Sequence, residues 1–151
     1  MGGDKHEKAR RGDRLPPFVP VLIDTLDQPA WKAMSFGARA LYIALKRRFS
    51  PHHHNNGRIF LSQRDAAKEL NSHHNEIARW YRELQHFGFI VMMVPGFLGI
   101  QGKGQAPRWR LTELGYMRDL PTKDYAGWRG APFVNQTKPR ARKPARPVPE
   151  I

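Results

Sequence analysis

The chain has 151 residues, 26 Lys and Arg against 13 Asp and Glu, a formal net charge of +13, a pI of about 10.8 and no cysteine. A hydrophobic content of 40%, with four Trp and eight Phe, is enough for a core and argues against full disorder, and the length suits one domain with or without tails. Zero cysteines exclude disulfides, thiolate zinc sites, iron–sulfur clusters and a thiol nucleophile.

Residues 1–14 carry five basic and three acidic side chains with no apolar leader-like run, and are expected to form a flexible tail. Residues 18–34 open extended through Pro17 and Pro20. They then place Ile23, Leu26, Ala30 and Trp31 in a helical pattern broken around Pro29. Ser35 is set to cap a stronger helix with Ala38, Leu41, Tyr42 and Leu45 on one face, ended by Lys46, Arg47, Arg48 and Pro51. A loop over 51–57 leads to a short strand over 59–61. Ser62 with Asp65 has capping-box form and starts a short helix with Ala66, Ala67 and Leu70 apolar. Asn71 and Ser72 make a tight turn. A helix over about 73–87 buries Ile77, Tyr81 and Leu84, carries Trp80 on its flank and closes at Gly88. Residues 89–94 and 108–111 read as antiparallel strands joined by a long Gly-rich connection. Thr112, Glu113, Leu114 and Gly115 offer the start of a C-terminal helix, which Pro121 would keep short. Residues 129–151 read as a basic, Pro-rich, disordered arm. The charge divides as +2 on 1–14, +7 on 15–135 and +4 on 136–151.

Helix, short strand, short helix, turn, longer helix, strand, hairpin, strand is the order of a winged helix-turn-helix, an α+β fold. The run LSQRDAAKELNSHHNEIARWYRELQHFGFIV (61–91) and the returning RWRLTELG (108–115) resemble winged-helix regulators of the MarR and GntR type. The shared features are a Ser-capped helix with paired alanines, a recognition helix, and the step Leu84, Gly88, Phe89, Ile90 into the wing. A closer likeness, over about residues 18–128, is to small replication-initiator-like winged-helix proteins of bacterial chromosomes, plasmids and phages. It is carried by Ala30 to Met34 (AWKAM), Ala38 to Tyr42 (ARALY), Asn56-Gly57, Trp109 to Thr112 (WRLT) and Thr122 to Tyr125 (TKDY). Two positions depart from the family pattern. Ser72 stands where a turn hydrophobe is usual, and Glu76 where Thr or Ser usually faces a phosphate. A carboxylate at 76 repels DNA unless it reads a cytosine amino group or pairs with a neighbouring Arg.

The resemblance implies double-stranded DNA as the partner, and the residues fit that partner. With Ile77, Tyr81 and Leu84 inward, the opposite face of the recognition helix offers His74, Asn75, Ala78, Arg79 and Arg82 to a major groove. Asn75 suits adenine and Arg79 guanine. Ser62, Arg64 and Lys68 are candidates for phosphates, and Lys103, Arg108 and Arg110 for a Gly-rich basic wing over about 95–107. The C-terminal arm would add affinity without sequence choice by counterion release.

Other chemistries fit less well. Three successive histidines, His52 to His54, cannot all face one ion, so no metal is expected there or at His73 and His74. Gly99, Gly102 and Gly104 fail the P-loop spacing, since position 97 is Phe. No nucleophile or acid–base set stands out, so the expectation is a non-enzyme without cofactor or small-molecule ligand. The longest apolar stretch, 89–100, is broken by Pro95 and Gly96 and falls short of the roughly 20 residues of a membrane span. A cytoplasmic, nucleoid-associated protein is expected, acting in transcription or in replication of a chromosome or mobile element. Homodimerisation stays open. The alternatives are an RNA- or ribosome-associated basic protein and a winged-helix protein-interaction module.

Overall fold

The computed structural model describes residues 15–136; the expectations for 1–14 and 137–151 lie outside the described residues. Among the described residues, five helices and a two-stranded antiparallel sheet make a mixed α+β fold. The elements are α1 (Ile23–Asp27), α2 (Pro29–Ala33), α3 (Phe36–Lys46), α4 (Gln63–Glu69), α5 (His74–His86), β1 (Ile90–Val94) and β2 (Arg108–Leu111), with short 3-10 turns at Ile100–Gly102 and Asp124–Gly127.

Pro29 divides the first helical stretch. Gln28 is extended (φ −63°, ψ 134°), and Pro29 takes the first position of α2, where a missing N–H breaks no helical bond. Ala30 and Trp31 are buried as expected. Ile23 and Leu26 are exposed instead, and Thr25 turns inward. The reason is polar: Thr25 Oγ1 donates to the buried Glu113 carboxylate at 2.9 Å.

Ser35 caps α3, its Oγ accepting from Ala38 N–H at 3.2 Å. Ala38, Leu41, Tyr42 and Leu45 then face the core, where α3 lies along α5. The two helices approach closely where Trp80 crosses Gly37, since a Cβ on Gly37 would stand 1.9 Å from the indole. Ser62 caps α4 through Asp65 N–H at 3.0 Å.

Two helix ends fix the turn and the exit toward the hairpin. After α4, Asn71 adopts φ 49°, with Ser72 N–H on Ala67 O at 3.0 Å. After α5, Gly88 adopts φ 81°, with Phe89 N–H on Leu84 O at 3.0 Å. Both are Schellman closures, in which a left-handed residue lets the chain turn back on the last carbonyls.

In the hairpin, Ile90 pairs with Leu111, Val91 with Arg110 and Met92 with Trp109; an irregularity between Met92 and Val94 precedes the Val94–Arg108 pair. The strand expected over 59–61 contracts to a single bridge. Ile59 exchanges bonds of 2.7 and 3.3 Å with Trp109, but the next pair would set Leu61 opposite Pro107, which has no N–H, and the Leu61 carbonyl accepts from the Tyr81 hydroxyl at 2.5 Å instead. Trp31, Tyr42, Phe89 and Tyr125 meet at the centre, with ring centroids 4.6–5.7 Å apart.

Thr112 does not begin a helix. Its N–H donates to Phe89 O at 3.0 Å and its hydroxyl to Gly88 O at 2.7 Å, so it continues the sheet edge and sends Glu113 into the core. Glu113 accepts from Thr25, from the Tyr42 hydroxyl and from Lys46 Nζ at 2.9 Å, with side-chain exposures of 1% for Glu113 and 5% for Lys46. Burial alone would raise its carboxyl, but the hydrogen bonds from Tyr42, Lys46 and Thr25, with the Lys46 charge, outweigh it and hold the group below its ordinary value. Burial and the adjacent carboxylate push the Tyr42 phenol well up, so it remains a donor. Beside this cluster the buried Asn56 accepts from Leu111 N–H at 2.8 Å and donates to Leu111, Leu114 and Gly115 carbonyls at 3.0–3.2 Å, tying the turn after β2 to the loop before Ile59.

Replacing Glu113 with Gln strands a buried ammonium and is expected to cost about 3–5 kcal/mol at neutral pH. Because the folded carboxyl titrates below its unfolded value of about 4.3, its stabilisation is complete above that value and is lost as pH falls through the folded one. Denaturant titrations of parent and Glu113→Gln should therefore show a gap that is widest at neutral pH and narrows under acid. A gap independent of pH would contradict this account.

Candidate nucleic-acid interface

The orientation of α5 is set by what it buries. Ile77, Tyr81 and Leu84 enter the core, and Tyr81 stacks on Trp109 with centroids 5.2 Å apart. Glu83 is buried too. Its carboxylate accepts from Ser35 N–H at 2.5 Å and from Ser35 Oγ at 2.8 Å, placing a negative charge on the N-terminus of α3. The periodicity of the helix gave no sign of this inward carboxylate.

What remains is an outward ridge of His74, Asn75, Ala78, Arg79, Arg82 and His86. His73 caps the helix, with Nδ1 accepting from Asn75 N–H at 3.2 Å, and its ring lies 4.1 Å from that of His74. His74 and Asn75 are exposed. Arg79 stands 3.6 Å from Glu76, so the unfavourable carboxylate is partnered by a cation one turn on.

Residues 62–88 hold four cations and four carboxylates, so this unit is not basic by count. The carboxylates are engaged, however. Glu83 is on Ser35, Glu76 is beside Arg79, Asp65 is on the α4 cap, and Glu69 is within 2.5 Å of Arg48 and 3.7 Å of Arg47. The hydrogen bond from Arg48 lowers the Glu69 carboxyl.

The phosphate and wing candidates are placed unequally. Arg64 and Lys68 are exposed, one turn apart on α4. Ser62 is occupied: its hydroxyl accepts the cap bond and donates to Asp65 Oδ2 at 2.8 Å, which leaves a carboxylate at the end of α4 that was expected to meet phosphate. The hairpin connection, held by Phe97 and Gln105 through two 2.9 Å bonds, has Lys103 as its sole charged residue. Its tip presents Phe97, Leu98 and Ile100 to solvent, with Leu98 fully exposed. Arg108 and Arg110 share the outer face of β2 but point to different neighbours. The Arg108 guanidinium lies 4.2 Å from the Phe60 ring centre and donates to Arg58 O at 3.4 Å. Arg110 donates to Thr122 Oγ1 at 3.2 Å and lies 5.7 Å from the Tyr116 ring. Only Arg108 stands at the hairpin end of the strand.

The chain beyond residue 128, placed in the arm on compositional grounds, returns along α5 as far as it is described. Trp128 Nε1 donates to Ala131 O at 2.8 Å, and Phe87 meets the Trp128 ring edge-on at 5.2 Å. Phe133 packs on the core and lies 5.7 Å from the His86 ring. The Ala131 carbonyl also accepts from His86 Nε2 at 2.7 Å, which fixes the proton on that nitrogen. Asn135 Oδ1 accepts from Arg82 Nε and Nη2 at 3.1 and 2.8 Å. The available signal was the pair Trp128 and Phe133 inside an otherwise polar, Pro- and Gly-containing stretch.

A cleft of about 640 Å³ lies where Ser35, Arg79 and Glu83 meet the returning Trp128, Phe133 and Asn135, and two more lie along the ridge. One, of about 690 Å³, lies between α5 and residues 135–136 and is lined by Asn75, Glu76, Ala78, Arg79, Arg82, Asn135 and Gln136. The other, of about 190 Å³, faces the hairpin, with Ala78 and Arg82 on one wall and Met92, Pro107 and Trp109 on the other. Among the described residues no three His, Asp or Glu side chains gather as a metal-binding group, and no helix is long and apolar enough to cross a membrane. No family model, curated protein or solved structure matches the chain.

Phe133→Ala removes the apolar anchor of the returning segment and is expected to lower the backbone 15N order parameters of Ala131, Val134 and Asn135 while leaving those of α5 unchanged. Unchanged order parameters at those three residues would show that Phe133 does not hold the segment.

Proposed function

We propose that this chain is a winged helix-turn-helix protein that binds double-stranded DNA, with α4 and α5 as the helix-turn-helix and the β1–β2 hairpin as the wing. The observation that carries this reading is the ridge of α5. It is fixed from beneath by Ile77, Tyr81, Leu84 and Glu83, and it turns Asn75, Ala78, Arg79 and Arg82 outward beside the hairpin. A major groove admits one helix, and amide and guanidinium groups on its outer face match the donors and acceptors of adenine and guanine. The single Ile59–Trp109 bridge, which brings the chain before α4 onto β2, supports the same reading.

In this account Asn75 and Arg79 read bases, Arg64 and Lys68 hold phosphates, and Lys103 and Arg108 serve the wing. The five cations of residues 137–151 supply affinity without sequence choice. The protein acts at specific sites, in regulation of transcription or in replication. A second reading, a protein-interaction module, is favoured by the exposed Phe97, Leu98 and Ile100 at the hairpin tip.

Arg79→Ala is expected to cost about 1–3 kcal/mol of discrimination between a selected duplex and random duplex, with a smaller effect on random duplex itself. Removal of 137–151 should do the reverse, weakening all duplexes and flattening log K against log salt by about 0.9 for each phosphate that the arm no longer neutralises. Titrations against labelled duplexes, competed with RNA and with single strands, check both. Preferential competition by RNA, or parent-like behaviour of both variants, would overturn the assignment.

A further inference from the structure

Arg82 is not a free side chain on an exposed helix face. Its Nε and Nη2 both donate to the Asn135 amide oxygen, so the guanidinium is held at one edge by a residue 53 positions away. The segment that brings Asn135 there is anchored upstream by Trp128, by the Ala131 carbonyl on His86 and by Phe133 on the core. It meets His86 first, then Arg82, then the cleft beside Asn75, so it travels antiparallel to α5. It flanks the ridge on the Arg79 side while His74 and Asn75 stay exposed.

We propose that the returning chain completes the base-reading surface of α5 by holding Arg82, with Asn135 as a positioning and specificity-determining residue that acts through that guanidinium. This rests on the DNA-binding reading given above. The cleft between the two elements gathers the amides of Asn75, Asn135 and Gln136, the guanidinium groups of Arg79 and Arg82, and the Glu76 carboxylate, which is partnered by Arg79. Of these groups, the guanidinium of Arg82 is the one set to make paired hydrogen bonds to a guanine edge. Holding Arg82 through Nε and Nη2 leaves its terminal Nη1–Nη2 edge for an acceptor pair such as guanine O6 and N7. A guanidinium fixed beforehand loses less rotamer freedom on binding, and it accepts one approach direction rather than many. The wall opposite the hairpin is thus built by the returning chain, while Met92, Pro107 and Trp109 form the wall on the hairpin side.

The test uses the full chain. A duplex is selected by the parent from a random pool, and affinities for it and for its single-base-pair variants are measured with the parent, Asn135→Ala, Arg82→Ala and the double variant. Asn135 is exposed, so equal melting temperatures should confirm that folding is untouched. The expected result is that Asn135→Ala loses about tenfold in preference at the same base pairs as Arg82→Ala, and that the double variant loses no more than Arg82→Ala alone. The salt slope should stay that of the parent, because the substitution removes no charge. Parent-like preference in Asn135→Ala, or losses at separate base pairs that add, would overturn the proposal. Tighter binding of every duplex by Asn135→Ala would also overturn it, since the segment would then be a shield over α5. A parent that selects no duplex at all would instead refute the DNA-binding reading, and this proposal with it.

Discussion

Glu83 places a buried carboxylate against the N-terminus of α3, and the direction in which α5 faces follows from that contact. Taking a charge out of water is costly, and here the cost is offset by the Ser35 N–H and hydroxyl and by the positive end of a helix of eleven residues. Such a charge has one acceptable position, whereas apolar side chains tolerate rotation of a helix about its axis. Hydrophobic burial brings α5 to the core, and Glu83 on Ser35, together with the Tyr81 hydroxyl on the Leu61 carbonyl, fixes the rotation. With it pinned, Ile77, Tyr81 and Leu84 point in and Asn75, Ala78 and Arg82 point out, so the chemistry of the outer ridge depends on a residue that takes no part in it.

A second buried carboxylate, Glu113, performs the corresponding task at the far side of the hairpin. Its partners come from α1 and α3, and the carboxylate itself comes from the turn after β2. Asn56 fixes the same turn from the loop side. Together they deliver the chain to Tyr125, which stacks on Phe89, and then to Trp128, from which the returning segment reaches α5. The position of Asn135 beside Arg82 is therefore a consequence of packing that begins near α1.

The local parts of this fold were legible in the sequence. Periodic apolar residues marked α3 and α5, Ser35 and Ser62 marked two helix starts, and Asn71 and Gly88 marked the left-handed closures, because each of these signals acts within a few residues of itself. The long-range polar pairs were not legible. Glu83 meets Ser35 across 48 positions, Tyr42 meets Glu113 across 71 and Arg82 meets Asn135 across 53, and no local pattern encodes such meetings. The errors follow from the same cause. Thr25 displaced Ile23 and Leu26 from the interior because Glu113 needed a donor, the strand at 59–61 shortened because Leu61 comes opposite Pro107, which has no N–H, and Thr112 turned into the sheet edge instead of a helix. The candidate DNA-facing residues divide similarly. His74, Asn75, Arg64, Lys68 and Lys103 stand exposed where the spacing put them, while Ser62, Arg82 and Arg110 already hold partners that only the folded chain brings near.

The central claim is that the outer ridge of α5 and the adjoining hairpin meet duplex DNA. Mapping backbone amide shifts while the labelled full chain is titrated with duplex tests it most directly. The account predicts saturable changes concentrated at His74–Arg82 and around Lys103, with α1, α2 and the Glu113 turn unmoved. Changes confined to α1 and α2, or none at the α5 ridge despite binding, would contradict it.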